Sequence, residues 1–458
     1  MAANVVIGIY LISALLALSS PKFAILLFWP LLYCYPHWLL FGKLPMNIGL
    51  DDVFIVCLFV GSLIKGGNKI QVKWPLIMAF LFWVIFVLGD VSSVVTGHLK
   101  MALAWQQWLK SLGTIFFVYS LCVTMTTPKQ IQRAIYSFLF GAILGSISII
   151  YYTLFPYTYN PFQIPYWVLG QDAHLRQTIG AFGDTALAAG VLGFAILIGY
   201  FYIRLAKDRL KRPVILIVTG ILVFALVLST ARKGWLFVMI PVVFSTLFSK
   251  QRTLGILLLG GITLIVAAAY TYFSVFSERV AWMVWQAGGD VQDVTSGRFV
   301  IWMEHLSHPK ISWLFCGEGF AIWEGLHVHN NFLGILMGMG LAGVVLWTVN
   351  YVKVFKKSLW IRKYDTIPNM AILFNAVFWS YIGYFVYCMV STPVQWPNVR
   401  YIDFFLMTLV CVRYKQLEVE EQYSYQDELE SEYSYDDQFE EEYEYQDIPA
   451  EPQLYYDW

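Results

Sequence analysis

Charge is scarce in this chain. Asp, Glu, Lys and Arg make up 13% of its 458 residues, where an ordinary soluble domain carries about 25%. Mean hydropathy is +0.62, which excludes a soluble globular domain and makes a polytopic membrane protein the expected class. Cysteine is also sparse. The six fall at 34, 57, 122, 316, 388 and 411, and only Cys316 sits in a long polar loop. No pair stands at metal spacing outside the apolar segments, so neither a disulfide framework nor a thiolate metal site is expected. H-E-x-x-H is absent, and no internal repeat is read among the apolar segments. No Lys or Arg precedes the apolar stretch at the N-terminus, which favours a retained first helix over a cleaved signal peptide.

Apolar residues are what the chain has in abundance: 59% are hydrophobic and 18% aromatic. Runs long enough to cross about 30 Å of hydrocarbon recur from end to end, and inside a bilayer only closed hydrogen-bonding, here helical, satisfies the backbone. The expected fold is an all-α helical bundle of about 12 or 13 spans. Segments near 4–20, 22–41, 51–64, 75–94, 108–125, 131–154, 181–203, 214–230, 234–249, 253–276, 327–352, 370–390 and 399–412 are the candidates.

The net charge of zero hides an asymmetry. Residues 416–458 hold 16 Asp and Glu and no Lys or Arg, which leaves residues 1–415 with 30 basic against 14 acidic side chains. The chain therefore divides into a cationic membrane domain, 1–415, and an acidic tail, 416–458. Basic residues cluster at 65–73, 129–133, 204–212, 250–252, 353–363 and 413–415. Those loops are expected in the cytoplasm, each pair of clusters being separated by room for two spans. The tail is then cytoplasmic. The outer face carries 155–180, 229–234, 277–326 and 391–398, of which 277–326 is long enough for short helices of its own. The first two spans are interrupted by Pro21, Pro30 and Pro36, so the side of the N-terminus stays open.

Basic residues that break this pattern forgo a topological preference for some other gain. Arg176, Arg232 with Lys233, Arg298 and Arg400 all fall beside outer span mouths. In "LVLSTARKGWLFV" the Arg232 guanidinium is confined to a turn of a few residues at the membrane boundary, a costly position unless an anion meets it. Arg298 stands in the first turn of a short amphipathic segment, "GRFVIWMEHLSHP", where it opposes the helix dipole. The stretch "HVHNNFLGILMGMGLAG" then places His327, His329, Asn330 and Asn331 at the lip of a glycine-punctuated span. Asn is a good N-cap, free backbone N–H groups at a helix start attract anions, and neutral imidazole accepts a proton near pH 7. Gly334 and Gly338 read as helix-packing residues.

The ordered set resembles the O-antigen ligase and Wzy polymerase family of lipid-linked glycan transferases. It consists of Ser229, Arg232 and Gly234; Arg298 and Trp302; His308, Pro309, Gly317 and Gly319; and His329 with Asn330. An earlier stretch, "LRQTIGAFGD", adds Arg176, Gly180, Phe182 and Asp184, and the likeness covers about residues 170–350. It departs in reading "GDT" where the family has D/N-P-N, and in the extra His327. The resemblance implies a GT-C-like bundle in a bacterial cytoplasmic membrane, with its active site on the outer face. It implies transfer of a glycan from undecaprenyl diphosphate to an acceptor hydroxyl, such as a lipid A-core sugar, with inversion and without a metal or other cofactor. His329 would be the base and Arg232, Arg298 and Arg176 would hold the diphosphate, supported by Asn330, His327 and Lys233.

Rival readings have signatures of their own. Glu304, His305, His308, His327 and His329 could assemble a zinc site. A Wzy-type polymerase would use the same machinery on another lipid-linked repeat. A transporter or flippase would show ionisable residues deep within spans, and none is read there. Nucleic acid is not an expected partner. The tail repeats tyrosine pairs at a spacing of ten, at 423/425, 433/435 and 443/445. Without an apolar face it is expected to be disordered, lying against basic loops or offering tyrosines to a cytoplasmic kinase or partner.

Overall fold

The structure is a computed structural model that describes residues 2–34, 49–66, 70–155, 180–182, 185–205, 211–229, 231–248, 252–272, 298–319, 330–391 and 397–436. Among these it is helical throughout, with no strand. In chain order the helices are α1 (Ala2–Ser19), α2 (Pro21–Ala24), α3 (Phe28–Cys34), α4 (Leu50–Gly66), α5 (Trp74–Val95), α6 (Met101–Thr124), α7 (Pro128–Leu154) and α8 (Thr185–Leu205). They continue with α9 (Lys211–Leu228), α10 (Arg232–Leu247), α11 (Arg252–Tyr272), α12 (Arg298–Ser307), α13 (Asn331–Tyr364), α14 (Pro368–Val390) and α15 (Pro397–Asp436). Single 3-10 turns lie at Ile25–Leu27, Gly180–Phe182 and Ile311–Leu314.

Most of the apolar segments read from the sequence fall on these helices, the one near 22–41 being divided between α2, a 3-10 turn and α3 with 35–41 outside the described residues. Against the expected 12 or 13 spans, six stretches among the described residues are long and apolar enough to cross a membrane: Trp74–Val95, Pro128–Leu154, Leu187–Leu205, Gly255–Tyr272, Asn331–Tyr364 and Pro368–Val390. Shorter apolar helices accompany them at Ile7–Ser19, Pro21–Tyr33, Arg212–Leu228 and Lys233–Leu247. Helix α13 runs well past the expected end at 352, because its last three turns carry Lys353, Lys356, Lys357, Arg362 and Lys363. Their charges find ring faces: the Lys353 ammonium lies 3.4 Å from the Trp74 ring centre and that of Lys357 4.1 Å from Tyr414. A helix can leave the hydrocarbon in this way without ending.

Residues 1–414 pack as one compact unit. Its centre is α8, buried along the whole of Leu187–Leu205, while Gly255–Tyr272 of α11 is 11% buried and lies at the rim. Helices α9, α10 and α14 pack on α8, and α13 packs on α14 and α5. A second cluster joins α3, α6, α7 and α15 through aromatic rings, with Trp29 edge-on to Phe138 and Phe405 at 5.1 Å each. Gly141 admits this: a Cβ there would stand 2.8 Å from the Trp29 carbonyl.

At the basic end of the bundle, Arg413 of α15 grips Asp365, just beyond α13, through two hydrogen bonds of 2.7 and 2.9 Å, with both side chains fully buried. The Asp365 carboxylate also accepts from the Ile367 backbone N–H at 2.9 Å and so fixes the turn into α14. A lysine supplies charge but no planar fork. Arg413→Lys therefore lowers stability by about 1–2 kcal/mol, measured as thermal unfolding in detergent, while Arg413→Ala, which strands the carboxylate, costs more.

The acidic tail differs from expectation. Helix α15 continues through the boundary at 415/416 to Asp436, and the tyrosines 443 and 445 lie outside the described residues.

Candidate functional site

Among the helices that start at the end of the bundle opposite the basic clusters are α10 at Arg232, α12 at Arg298 and α13 at Asn331. Two of these starts are tied to the last turn of α14. Asn330 caps α13, its side-chain oxygen accepting from the Leu333 N–H at 3.1 Å, while its amide nitrogen donates to the Met389 carbonyl at 3.2 Å. Two residues further along α14, the Ser391 hydroxyl receives the Lys233 ammonium at 3.2 Å. Lys233 and Asn330, nearly a hundred residues apart in sequence, thus converge on one short stretch of α14. Ser229 sits below the α10 start, fully buried, with its hydroxyl donating back to the Leu226 carbonyl at 2.8 Å.

Helix α12 is held beside the head of α13. Trp302 packs on a cluster formed by Trp313, Leu333 and Met337. Arg298 is one helical turn before Trp302, a spacing that puts the two positions on one helix face. Of the remaining expected site residues, Arg232 opens α10, and Arg176, His327 and His329 lie outside the described residues. The zinc set falls there in part too. Among the described residues no three His, Cys, Asp or Glu gather as a metal site.

The structure adds a helix break to the reading of the glycines. Helix α13 is broken at Gly340, whose φ of 64° and ψ of −169° are not helical. Residues 315–319 dock in the break. Glu318 N–H donates to the Met337 carbonyl and Gly319 N–H to that of Gly338, both at 2.8 Å, and Ala342 N–H returns a bond to the Phe315 carbonyl at 3.3 Å. Backbone groups released by the break are thereby satisfied from the re-entering segment, which is how irregular backbone survives at membrane depth. Gly317 and Gly319 both have positive φ, 70° and 77°, so the G-x-G of the family-like motif answers a backbone need. The third wall is α5: Gly89 lies against the Cys316 and Gly338 carbonyls, and the Ser93 hydroxyl donates to the Glu318 carbonyl.

Sequence reading picked out Arg400 but missed the two acids inside the bundle. Asp90 is fully buried and accepts from the Trp108 indole N–H at 3.0 Å. Arg400, 4% exposed, lies 5.8 Å from the ring centres of Phe82 and Phe86. Asp403, one turn further along α15, receives the Tyr381 hydroxyl at 3.4 Å. Asp90 is five residues from the end of α5 and Asp403 six into α15, about 7 and 9 Å along their axes. The only signal for Asp90 and Asp403 in the sequence is a single acid in an otherwise apolar run.

No known protein family and no curated protein matches the sequence.

Proposed function

We propose that the chain is a membrane glycosyltransferase that moves a glycan from undecaprenyl diphosphate to an acceptor hydroxyl at the outer face of a bacterial cytoplasmic membrane, in the manner of an O-antigen ligase. The observation that carries this reading is the convergence of Lys233 and Asn330 on Met389 and Ser391. Arg232 and His329 are the sequence neighbours of these two anchors, and the reading assigns both to one ligand. Trp302 on the α13 head supports adding Arg298 to the same group.

Charge grows on the departing diphosphate as the glycosidic bond breaks, and guanidinium forks pair with phosphate oxygens most strongly when that charge is greatest. Arg232, Arg298 and Arg176 take this role. His329 removes the acceptor proton as the hydroxyl attacks the anomeric carbon from the opposite face, which inverts the centre. No metal is required by this scheme. The test is transfer from lipid-linked glycan in vesicles holding the purified chain. Arg232→Lys and Arg298→Lys each keep the charge but lose the fork, and each is expected to lower kcat by about 10–100-fold. Rates equal to wild type for both would remove the leaving-group assignment.

The buried Asp90, Arg400 and Asp403, together with the break in α13, favour a second reading, transport of the same lipid. The same vesicles separate the two: a labelled lipid-linked glycan that changes leaflet without forming a transfer product supports transport, and one that yields free undecaprenyl diphosphate supports transfer.

A further inference from the structure

A groove of about 620 Å³ runs along the outside of the bundle between α7, α8 and α9, within the roughly 300–1,000 Å³ of small-ligand sites. Its walls are apolar for most of their length: Leu139 and Ile143 from α7, Val218 and Leu222 from α9, with Ile198 on the floor. Polar groups gather at one end only. There the Gln132 amide donates to the Tyr136 hydroxyl at 2.8 Å, and the Tyr202 hydroxyl donates to Asn369 at 3.4 Å. That end is the basic end of the bundle. Lys129 and Arg133, both exposed, stand in the first two turns of α7, and Arg212 stands in the first turn of α9. The described segments that form this mouth, 126–136, 198–205 and 366–372, contain no acidic residue. Asp365, the acid beside it, is held by Arg413.

An apolar trough with a hydrogen-bonding, cationic end matches an amphiphile with an anionic head. We infer that this groove is a binding site for an anionic phospholipid of the leaflet on the basic side, one acyl chain lying between α7 and α9 and the phosphate meeting Lys129, Arg133 and Arg212. A second groove makes the contrast. The one lined by Phe59, Ile77, Phe80 and Phe116, about 440 Å³, has no polar group in its lining beyond the hydroxyl of Tyr119, and so lacks the hydrogen-bonding end of the first. The inference is independent of the chemistry at the other end of the bundle.

The experiment uses the full chain in phosphatidylcholine vesicles carrying a trace of phosphatidylglycerol with a photoreactive acyl chain, the labelled peptides being mapped by mass spectrometry. Labelling is expected on 136–143 and 214–222, and unlabelled phosphatidylglycerol is expected to compete at least tenfold better than phosphatidylcholine. Arg133→Gln with Arg212→Gln lowers that preference about fivefold per charge removed, without changing the size-exclusion profile. Leu139→Trp fills the trough and abolishes labelling there but not around Ile77 and Phe80. Equal labelling by a phosphatidylcholine probe, a preference untouched by the two Gln substitutions, or displacement by polyprenyl phosphate better than by phosphatidylglycerol would each overturn the inference.

Discussion

Replacing His329 by alanine is expected to lower glycan transfer in vesicles by about 10²–10⁴-fold while leaving the amount of folded protein unchanged. The expectation rests on what holds the neighbouring residue. Asn330, the next residue in the chain, is fixed twice, to the first turn of α13 and to the end of α14. The pH dependence follows from the sign of the proton step. Only the neutral imidazole can accept, so a histidine base predicts a rate that falls as the medium is acidified. In His329→Ala the residual rate no longer follows that limb. His327→Ala serves as the comparison, since a zinc site would need both histidines and a general base needs one. Loss of rate in both variants together with restoration by added zinc would replace the base with a metal; unchanged transfer in His329→Ala would remove the base altogether.

Much of the fold was legible because a bilayer allows so few solutions. Most apolar runs became helices, and the basic clusters gather at one end of α7, α9 and α13 as charge asymmetry in the loops demands. The less legible parts have specific physical causes. Gly340, in the same glycine-punctuated run, suits both close helix packing and a helix break, and the choice is made by residues 315–319, some twenty positions away, whose N–H groups supply the missing partners. Asp90 and Asp403 are single acids in long apolar helices. One such residue hardly alters a hydropathy average, and its place inside the bundle depends on neighbours such as Trp108 and Tyr381. The acidic tail was expected to be disordered because it has no face to bury. Helix formation, however, is costly chiefly at nucleation, and the span upstream has already supplied a nucleus. Glu, Gln and Leu then propagate it well, and α15 reaches Asp436. Of the site, residue types and order were visible in sequence. That Lys233 and Asn330 share the end of α14 was not, because no local pattern encodes which helix a span mouth will touch.

Gly340→Val is expected to be the most destabilising of the single substitutions considered, by about 3–6 kcal/mol, with transfer lost alongside. Three costs coincide at this position. A β-branched residue at a φ of 64° is strained by about 1–2 kcal/mol. Any Cβ there would stand 2.1 Å from the Phe315 carbonyl oxygen, so the re-entering segment must shift. That shift breaks the bonds from Glu318, Gly319 and Ala342, and in a membrane the carbonyls of Met337 and Gly338 have no water to replace them. The alternative open to the chain is a continuous α13, which expels residues 315–319 and with them the Trp313 contact that seats α12 beside Leu333. Gly260→Ala, on the rim helix α11 with nothing within 4 Å of the added carbon, is the matched control and is expected to be neutral or stabilising by up to about 1 kcal/mol. Thermal unfolding in detergent measures both. Partial proteolysis adds a second readout, because an expelled 315–319 becomes cleavable before the bundle unfolds. A Gly340→Val protein as stable and as protease-resistant as wild type would mean that α13 tolerates a straight course here, and the docked segment would then have to be held by α5 alone, through Gly89, Asp90 and Ser93.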